Sequence, residues 1–151
     1  MPTPVTNPFA VIDEIASTAA RAEELFSSYY YVGSFAATAS FPIFPAPFAL
    51  QVKQAAIVVW NTTLAANDTN YWRLAVRRTR ANASVEIVSK STQLTGGEGI
   101  TQRTDWNFDA AVWSATNGLI AKGDVIDLGV FMTGAPAALS GLAVTVRYEP
   151  V

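Results

Sequence analysis

Residues 70–78, NYWRLAVRR, decide the fold because apolar and polar side chains alternate along them. One side of this stretch is apolar and consists of Trp72, Leu74 and Val76. The other side is amphipathic or charged and includes Tyr71, Arg73 and Arg77. A period of two is typical of a strand with one buried face. The stretch therefore predicts a β-strand that lies on a hydrophobic core.

The same period continues on both sides of this strand. Four further strands are predicted, at 52–60, 84–90, 124–132 and 142–148. Shorter candidates lie near 100–108, 111–115 and 118–121, and turn-forming residues such as Gly96-Gly97 and Asn117-Gly118 separate them. About eight short strands with turns between them predict a mainly β protein. The expected fold is an antiparallel β-sandwich, with a jelly roll as the preferred topology.

Ahead of the strands, residues 25–52 contain no charged side chain. Prolines at 42, 45 and 47 favour extended backbone, because a residue before proline is pushed out of the helical region. The segment is also rich in aromatic residues, namely Tyr29, Tyr30, Tyr31, Phe35, Phe41, Phe44 and Phe48. So many exposed rings would form an interaction surface. We expect an extended arm whose rings form an assembly interface with other subunits; the alternative is that the arm covers its own domain.

Residues 8–30 predict a helix in front of this arm. Asn7 can cap it, and Pro8 suits the first helical position. Apolar side chains recur at a spacing of three to four residues, at Ile12, Ile15, Ala16, Ala19, Ala22, Phe26, Tyr29 and Tyr30. The sequence thus predicts two parts: a helix and aromatic, proline-rich arm over residues 1–49, and a jelly-roll domain over residues 50–151.

Composition excludes several classes of function. The formal net charge is −2, so no basic surface for nucleic acid is expected. The chain has no Cys and no His, which rules out disulfides and the commonest zinc ligands, and no metal or other cofactor is expected. The N-terminus lacks the pattern of a secretory signal, and prolines interrupt the charge-free segment, so no membrane partner is expected.

Tryptophans and aspartates are the remaining candidates for a ligand site. Trp60 and Trp72 occupy strands and are interpreted as core residues. Trp106 and Trp113 flank a less regular, polar region and are the candidate platform for stacking a sugar ring. Two acidic pairs, Asp105 with Asp109 and Asp124 with Asp127, could be paired carboxylates or calcium ligands, but neither has an EF-hand-like ligand sequence. Asp124, directly after Gly123, is interpreted as a turn residue that enters a strand. No catalytic residue is assigned, and the protein is not expected to be an enzyme.

Arginines form the one basic cluster of the sequence, at positions 73, 77, 78 and 80. Alternation places Arg73 and Arg77 on the outer face of the strand at 70–78. Acidic residues nearby in the sequence weaken the positive potential that would attract a phosphate group. Salt bridges between subunits are the favoured interpretation.

The strand region resembles the small jelly-roll modules of tailed-bacteriophage virion proteins, including head decoration (cement) proteins, head fibres and tail-fibre domains. Five segments carry the resemblance: YWRLAVRRT (71–79), ASVEIVSKST (83–92), GGEGITQRTDWNF (96–108), AKGDVIDLGVFMTG (121–134) and LAVTVRYEP (142–150). It implies a non-enzymatic capsid decoration protein that forms a homo-oligomer, with a trimer among the expected states. Its partners would be itself and other capsid or virion proteins, at the particle surface, after synthesis in the host cytoplasm. The alternative is a tail or fibre protein, or a lectin-like carbohydrate-binding module.

Overall fold

The computed structural model describes residues 26–108 and 116–151, with side chains from residue 30 onward. Within these ranges the chain forms nine β-strands and no helix. In chain order, the strands are β1 Phe26–Phe35, β2 Ala39–Pro45, β3 Leu50–Val59, β4 Tyr71–Arg80, β5 Ala83–Ser91, β6 Trp106–Asn107, β7 Leu119–Ile120, β8 Val125–Thr133 and β9 Leu139–Pro150. The mainly β prediction is confirmed. The predicted strand at 111–115 falls outside the described residues.

Two antiparallel sheets form the molecule. The first sheet has the order β1-β9-β3-β6, and β7 also pairs with β3. The second sheet has the order β2-β8-β4-β5. The chain changes sheet at each of its first three connections, so β1 to β4 alternate between the two layers. This arrangement agrees with the predicted β-sandwich and is consistent with a jelly roll.

The core lies between the two sheets and follows the alternation seen in the sequence. On β4 the inward residues Trp72, Leu74 and Val76 are fully buried. Fully buried residues lie beside them on β8 (Ile126, Leu128 and Val130) and face them from β3 and β9 of the other sheet (Ile57, Val59, Leu142, Val144 and Val146). Burying one such aliphatic side chain stabilises a fold by about 1.5–3 kcal/mol. Hydrophobic burial between the sheets is therefore what holds the sandwich together.

The end of the predicted helix is a strand instead. Residues 26–30 open β1, which pairs with β9 from Phe26 opposite Tyr148 to Phe35 opposite Leu139. Aromatic and β-branched residues fit a pleated surface well, and β9 offers a long partner, so tertiary pairing overrides the helical spacing. The rest of the predicted helix, residues 8–25, lies outside the described residues.

The extended segment after β1 belongs to the sandwich as well. β2 pairs with β8 along its whole length, with a register shift between Pro42 and Phe44. Proline removes a backbone donor, and it is tolerated here because β2 is the edge strand of its sheet. The proposed boundary between residues 49 and 50 thus falls between two strands that both belong to the sandwich.

Candidate functional site

The outer face of the first sheet carries ordered rows of side chains. The strand register aligns Tyr31 of β1 with Ala143 of β9 and Val58 of β3. One row further along, Thr145 lies opposite Ala56. These positions alternate with the buried core residues and so point away from the second sheet.

Trp60 lies at one end of this face and was expected in the core. It is 45% exposed, whereas its neighbour Val59 is completely buried. Successive side chains along a strand point to opposite faces, so the inward position of Val59 places the next residue, Trp60, outward. Gly141 makes room for it, since a Cβ there would lie 3.0 Å from the Trp60 Cβ. Gly141 also has a φ of +71°, which side-chain-bearing residues rarely adopt. The alternation of side chains along residues 52–60 could have predicted that Trp60 points outward.

We define the outer patch as Tyr31, Ala56, Val58, Trp60 and Ala143. It combines two exposed aromatic rings with the half-buried side chains of Ala56 and Val58, whereas Ala143 is only 1% exposed. Tyr31 is 59% exposed, the most of the tyrosines whose side chains are described. An apolar surface of this kind marks a place where another chain segment or subunit can pack.

The opposite end of the same face is polar. Arg147 donates a hydrogen bond to the side-chain carbonyl of Gln54 at 3.2 Å. A recess of about 380 Å³ opens beside them, and Asp105, Asn107 and Thr145 contribute to its lining. Among the described residues, no carboxylate forms an ion pair with Arg147. The outer face therefore has an apolar end and an end with an available positive charge.

Three of the seven predicted interface aromatics pack within the sandwich. Phe35 is buried, and its ring centre lies 4.5 Å from that of Phe41. Phe44 packs against the core, with its ring centre 5.3 Å from that of Tyr148. For these residues the intramolecular alternative is the one observed. These ring contacts pack the side chains of β1 and β2 against the rest of their own sandwich.

The other aromatics of that segment remain at the surface or the edge. Tyr30 is 43% exposed and Phe48 is 37% exposed. Tyr29 lies in β1 opposite Thr145. Because β1 ends the strand order of the first sheet, the exposed tyrosines sit on an edge strand. Among these residues, Tyr30 and Tyr31 are the exposed aromatics that lie on the β1 edge, while Phe48 follows β2.

Trp106, half of the predicted sugar platform, offers no exposed ring face. Only 4% of it is accessible, and its ring lies 6.2 Å from Phe108, centre to centre. The Lys90 ammonium lies 4.9 Å from the ring centre, in cation–π range. Its indole Nε1 has no hydrogen-bond partner among the described residues. Trp113 and Asp109 lie outside the described residues.

Three of the four clustered arginines form ion pairs within the chain, namely Arg73, Arg77 and Arg80. The interpretation as salt bridges between subunits is therefore wrong for these three. Arg73 pairs with Glu86 and Arg77 with Asp127, each at 2.5 Å. The guanidinium of Arg73 also lies 4.6 Å from the centre of the Phe131 ring. The alternation placed these side chains on the outer face correctly. It could not show that their acids lie on neighbouring strands of the same sheet.

Burial raises the pKa of Glu86, but this effect is outweighed. Hydrogen bonds from Ser89 and Arg73 and the charges of Arg73 and Arg77 stabilise the carboxylate. The net result is a pKa below the usual value for glutamate. Glu86 therefore stays ionised and acts as a structural partner of the arginines.

Asp124, directly before β8, has a buried carboxylate with several hydrogen-bond donors. Arg80 donates two hydrogen bonds to it, at 2.7 and 2.6 Å, and the Ala121 amide donates a third at 2.9 Å. The hydrogen bonds from Arg80 are the main reason why the pKa of Asp124 lies below its ordinary value. The same contact raises the pKa of Arg80. The expectation of a turn residue before a strand agrees with this geometry.

The described residues contain neither a metal-binding cluster nor a membrane-spanning helix. Residues 26–108 and 116–151 contain no group of three or more acidic, Cys or His side chains arranged to hold a metal ion. In that same part of the chain, no helix is long and apolar enough to cross a membrane.

Comparison with known proteins gives one distant structural neighbour. No family model matches the chain, and no curated protein matches it. The structure of Eiger TNF from S. frugiperda aligns with a TM-score of 0.36 and 12% sequence identity, covering 85% of this chain and 96% of that chain. A likeness at this level carries no argument about function.

Proposed function

We propose that this protein is a non-enzymatic structural component of a tailed-phage virion. Its most specific role would be that of a capsid decoration, or cement, protein at the particle surface. It would act as a homo-oligomer, with a trimer as the expected state, and bind other capsid or virion proteins. The observation that carries this proposal is the pair of exposed tyrosines, Tyr30 and Tyr31, on the edge strand β1.

An edge strand with exposed aromatics is suited to subunit contacts. Along β1, one row of backbone groups faces β9, and no described strand pairs with the other row. Such a row can pair with a strand of another chain. Tyrosine adds large contact area at low entropic cost and is enriched in interface cores. A second copy, or a neighbouring capsid protein, would thus find both backbone and side-chain partners at this edge.

The composition of the core also supports a surface role for these tyrosines, because neither Tyr30 nor Tyr31 belongs to its buried residues. Phe35 and Ile43 already fill the space next to the two edge strands, and both are buried. The exposed tyrosine rings therefore remain available for contact with another molecule. Stabilisation of a shell would come from burying them, since specific interfaces cover roughly 800 Å² on each partner.

Assignment to a virion rests on the resemblance of the strand segments in residues 71–150 to phage jelly-roll modules. Mass spectrometry of purified particles, produced by the phage that encodes the chain, tests it directly. The protein should be present in many copies per particle and should dissociate without loss of the shell. Absence from the particles would remove the virion assignment.

The subunit contact is tested with the double variant Tyr30→Ser, Tyr31→Ser. We expect light scattering to give a closed oligomer for the unaltered chain and a monomer for the variant, with unchanged circular dichroism. Leu94→Ser is the matched control, because Leu94 is 63% exposed but lies outside β1. A monomer at every concentration of the unaltered chain, or equal effects of both variants, would contradict the proposed contact.

A second candidate function is lectin-like carbohydrate binding, as in a tail or fibre module. The recess beside Arg147 favours it, because Gln54, Asp105 and Asn107 supply donors and acceptors suited to hydroxyl groups. A panel of glycans, read by tryptophan fluorescence, would test it. Asn107→Ala should abolish any response that comes from the recess.

A further inference from the structure

We propose that the recess beside Arg147 binds a saccharide that carries a carboxylate group, such as a uronic acid. The inference rests on the second candidate function, carbohydrate binding, and names the class of sugar that the recess selects. It does not depend on the subunit contact at β1, because none of the described residues that line the recess belongs to β1.

The polar side chains around the recess are available to a ligand. On the second sheet, three arginines are each paired with a carboxylate of the chain. Around the recess, Arg147 donates one hydrogen bond to Gln54. The side chains of Asp105, Asn107 and Thr145 line the same recess and form no hydrogen bond with other described residues. A few converging polar groups with open donors and acceptors are typical of a small-molecule site.

Arg147 determines the charge of the preferred ligand. Its side chain is exposed, its bond to the Gln54 carbonyl is 3.2 Å long, and it has no carboxylate partner among residues 26–108 and 116–151. A guanidinium presents five N–H donors in a planar fork that matches the two oxygens of a carboxylate. A carboxylate on the ligand would therefore provide the acceptors that this side chain lacks.

Asp105 gives the ligand a direction and excludes simple anions. Its side chain is exposed and lines the recess, but it forms no ion pair with Arg147. A carboxylate accepts hydrogen bonds from hydroxyl groups and repels a second anion. The favoured ligand therefore presents hydroxyl groups to Asp105 and its acid group to Arg147. A sugar acid carries both kinds of group, whereas a simple carboxylate or a phosphate does not.

The size and lining of the recess suit a single sugar ring. Its volume of about 380 Å³ lies near the lower end of the usual range for ligand pockets. Ala55, Ala56 and Phe108 contribute apolar atoms to the lining. Such atoms can contact the C–H groups of a sugar ring while the polar side chains bind its hydroxyl groups.

Three matched ligands test the proposal on the full chain: methyl glucuronide, its amide and methyl glucoside. They differ at one carbon, which bears a carboxylate, a carboxamide or a hydroxymethyl group. Isothermal titration calorimetry should give about 10-fold higher affinity for the carboxylate, as expected for one charge-assisted contact. Raising sodium chloride from about 20 mM to about 500 mM should reduce this preference, because salt screens an exposed charge pair.

Arg147→Gln removes the positive charge and should make the three ligands bind with equal affinity. Arg103→Gln is the matched control, because Arg103 is also exposed and is absent from the described lining of the recess. The control should keep the preference for the carboxylate. Circular dichroism shows whether both variants fold, and the salt series on the unaltered chain decides the question if Arg147→Gln does not.

Equal affinity of the unaltered chain for all three ligands would overturn the inference and leave carbohydrate binding in place. A preference for the carboxylate that persists in Arg147→Gln, or at high salt, would overturn the assignment to Arg147. If none of the three binds but the wider glycan panel gives a response, the inference alone is wrong. If neither gives a response, the second candidate function fails with it.

Discussion

At the scale of single residues, position within the alternation decides what a tryptophan does. Trp72 points inward, is fully buried, and its Nε1 donates a hydrogen bond to the Ala137 carbonyl at 2.9 Å. Trp60 follows the last residue of β3, points outward and is almost half exposed. Two chemically identical side chains therefore have different roles, one in folding and one at the surface.

Trp72→Ala should lower the free energy of unfolding by about 3–5 kcal/mol, because it leaves a large cavity in the core. The Ala137 carbonyl would also lose its donor. Trp60→Ala is the matched control and should cost less than about 1 kcal/mol. Urea denaturation followed by circular dichroism measures both. Equal losses would show that Trp60 is as well packed as Trp72.

Asp124 gives the protein a defined response to acid. Its pKa is lowered in the folded state by the hydrogen bonds from Arg80, so its ionised form stabilises the fold. That stability is present above the ordinary aspartate pKa of 3.8 and is lost as the pH falls through the lower folded value.

Asp124→Asn keeps an oxygen for the Ala121 amide but removes the charge. The variant should be less stable than the unaltered chain at neutral pH, and the difference should shrink as the pH falls below about 3.8. Urea midpoints measured from neutral to acid pH provide the comparison. A difference that is independent of pH would mean that packing, and not charge, explains the effect.

At the scale of elements, β1 and β2 show how tertiary pairing overrides local pattern. The aromatic residues of these strands were expected to contact other molecules, yet Phe35 and Phe44 pack against the core of their own sandwich. The charge-free composition of the segment did predict burial. It could not identify the partner, because β8 and β9 are about one hundred residues away in the sequence.

Phe44→Ala tests the role of β2. If Phe44 belonged to an assembly interface alone, its removal would leave folding nearly intact. Its packing against Tyr148 instead predicts a loss of about 2–3 kcal/mol in the stability of the sandwich, below the value for a fully buried phenylalanine. Phe48→Ala, at a more exposed ring, should cost clearly less. Unchanged stability of the Phe44 variant would restore the separation of arm and domain.

At the scale of the whole molecule, the two sheets share one hydrophobic core. Buried residues from β2, such as Ile43, belong to the same cluster as those of β4 and β8. Residues 26–45 should therefore unfold together with the rest of the described sandwich.

Hydrogen exchange measured by mass spectrometry tests this cooperativity. We expect the central amides of β2 to exchange at a rate close to that of β8, since they are lost in the same global opening. Peptides from the Gly96–Gly99 loop should exchange much faster and serve as the control. Early exchange of residues 26–45, with β8 still protected, would show two separate folding units.

The amino-acid sequence was sufficient to predict the β class, the approximate positions of β3, β4, β5, β8 and β9, and the inward face of β4. It did so because a period of two and turn residues are local properties that survive in any sandwich. Tertiary structure decided the rest: residues 26–30 became a strand, the arginines paired within their own sheet, and Trp106 became buried. Those outcomes depend on which distant strands are neighbours, and pairing energy between distant strands leaves no local pattern in the chain.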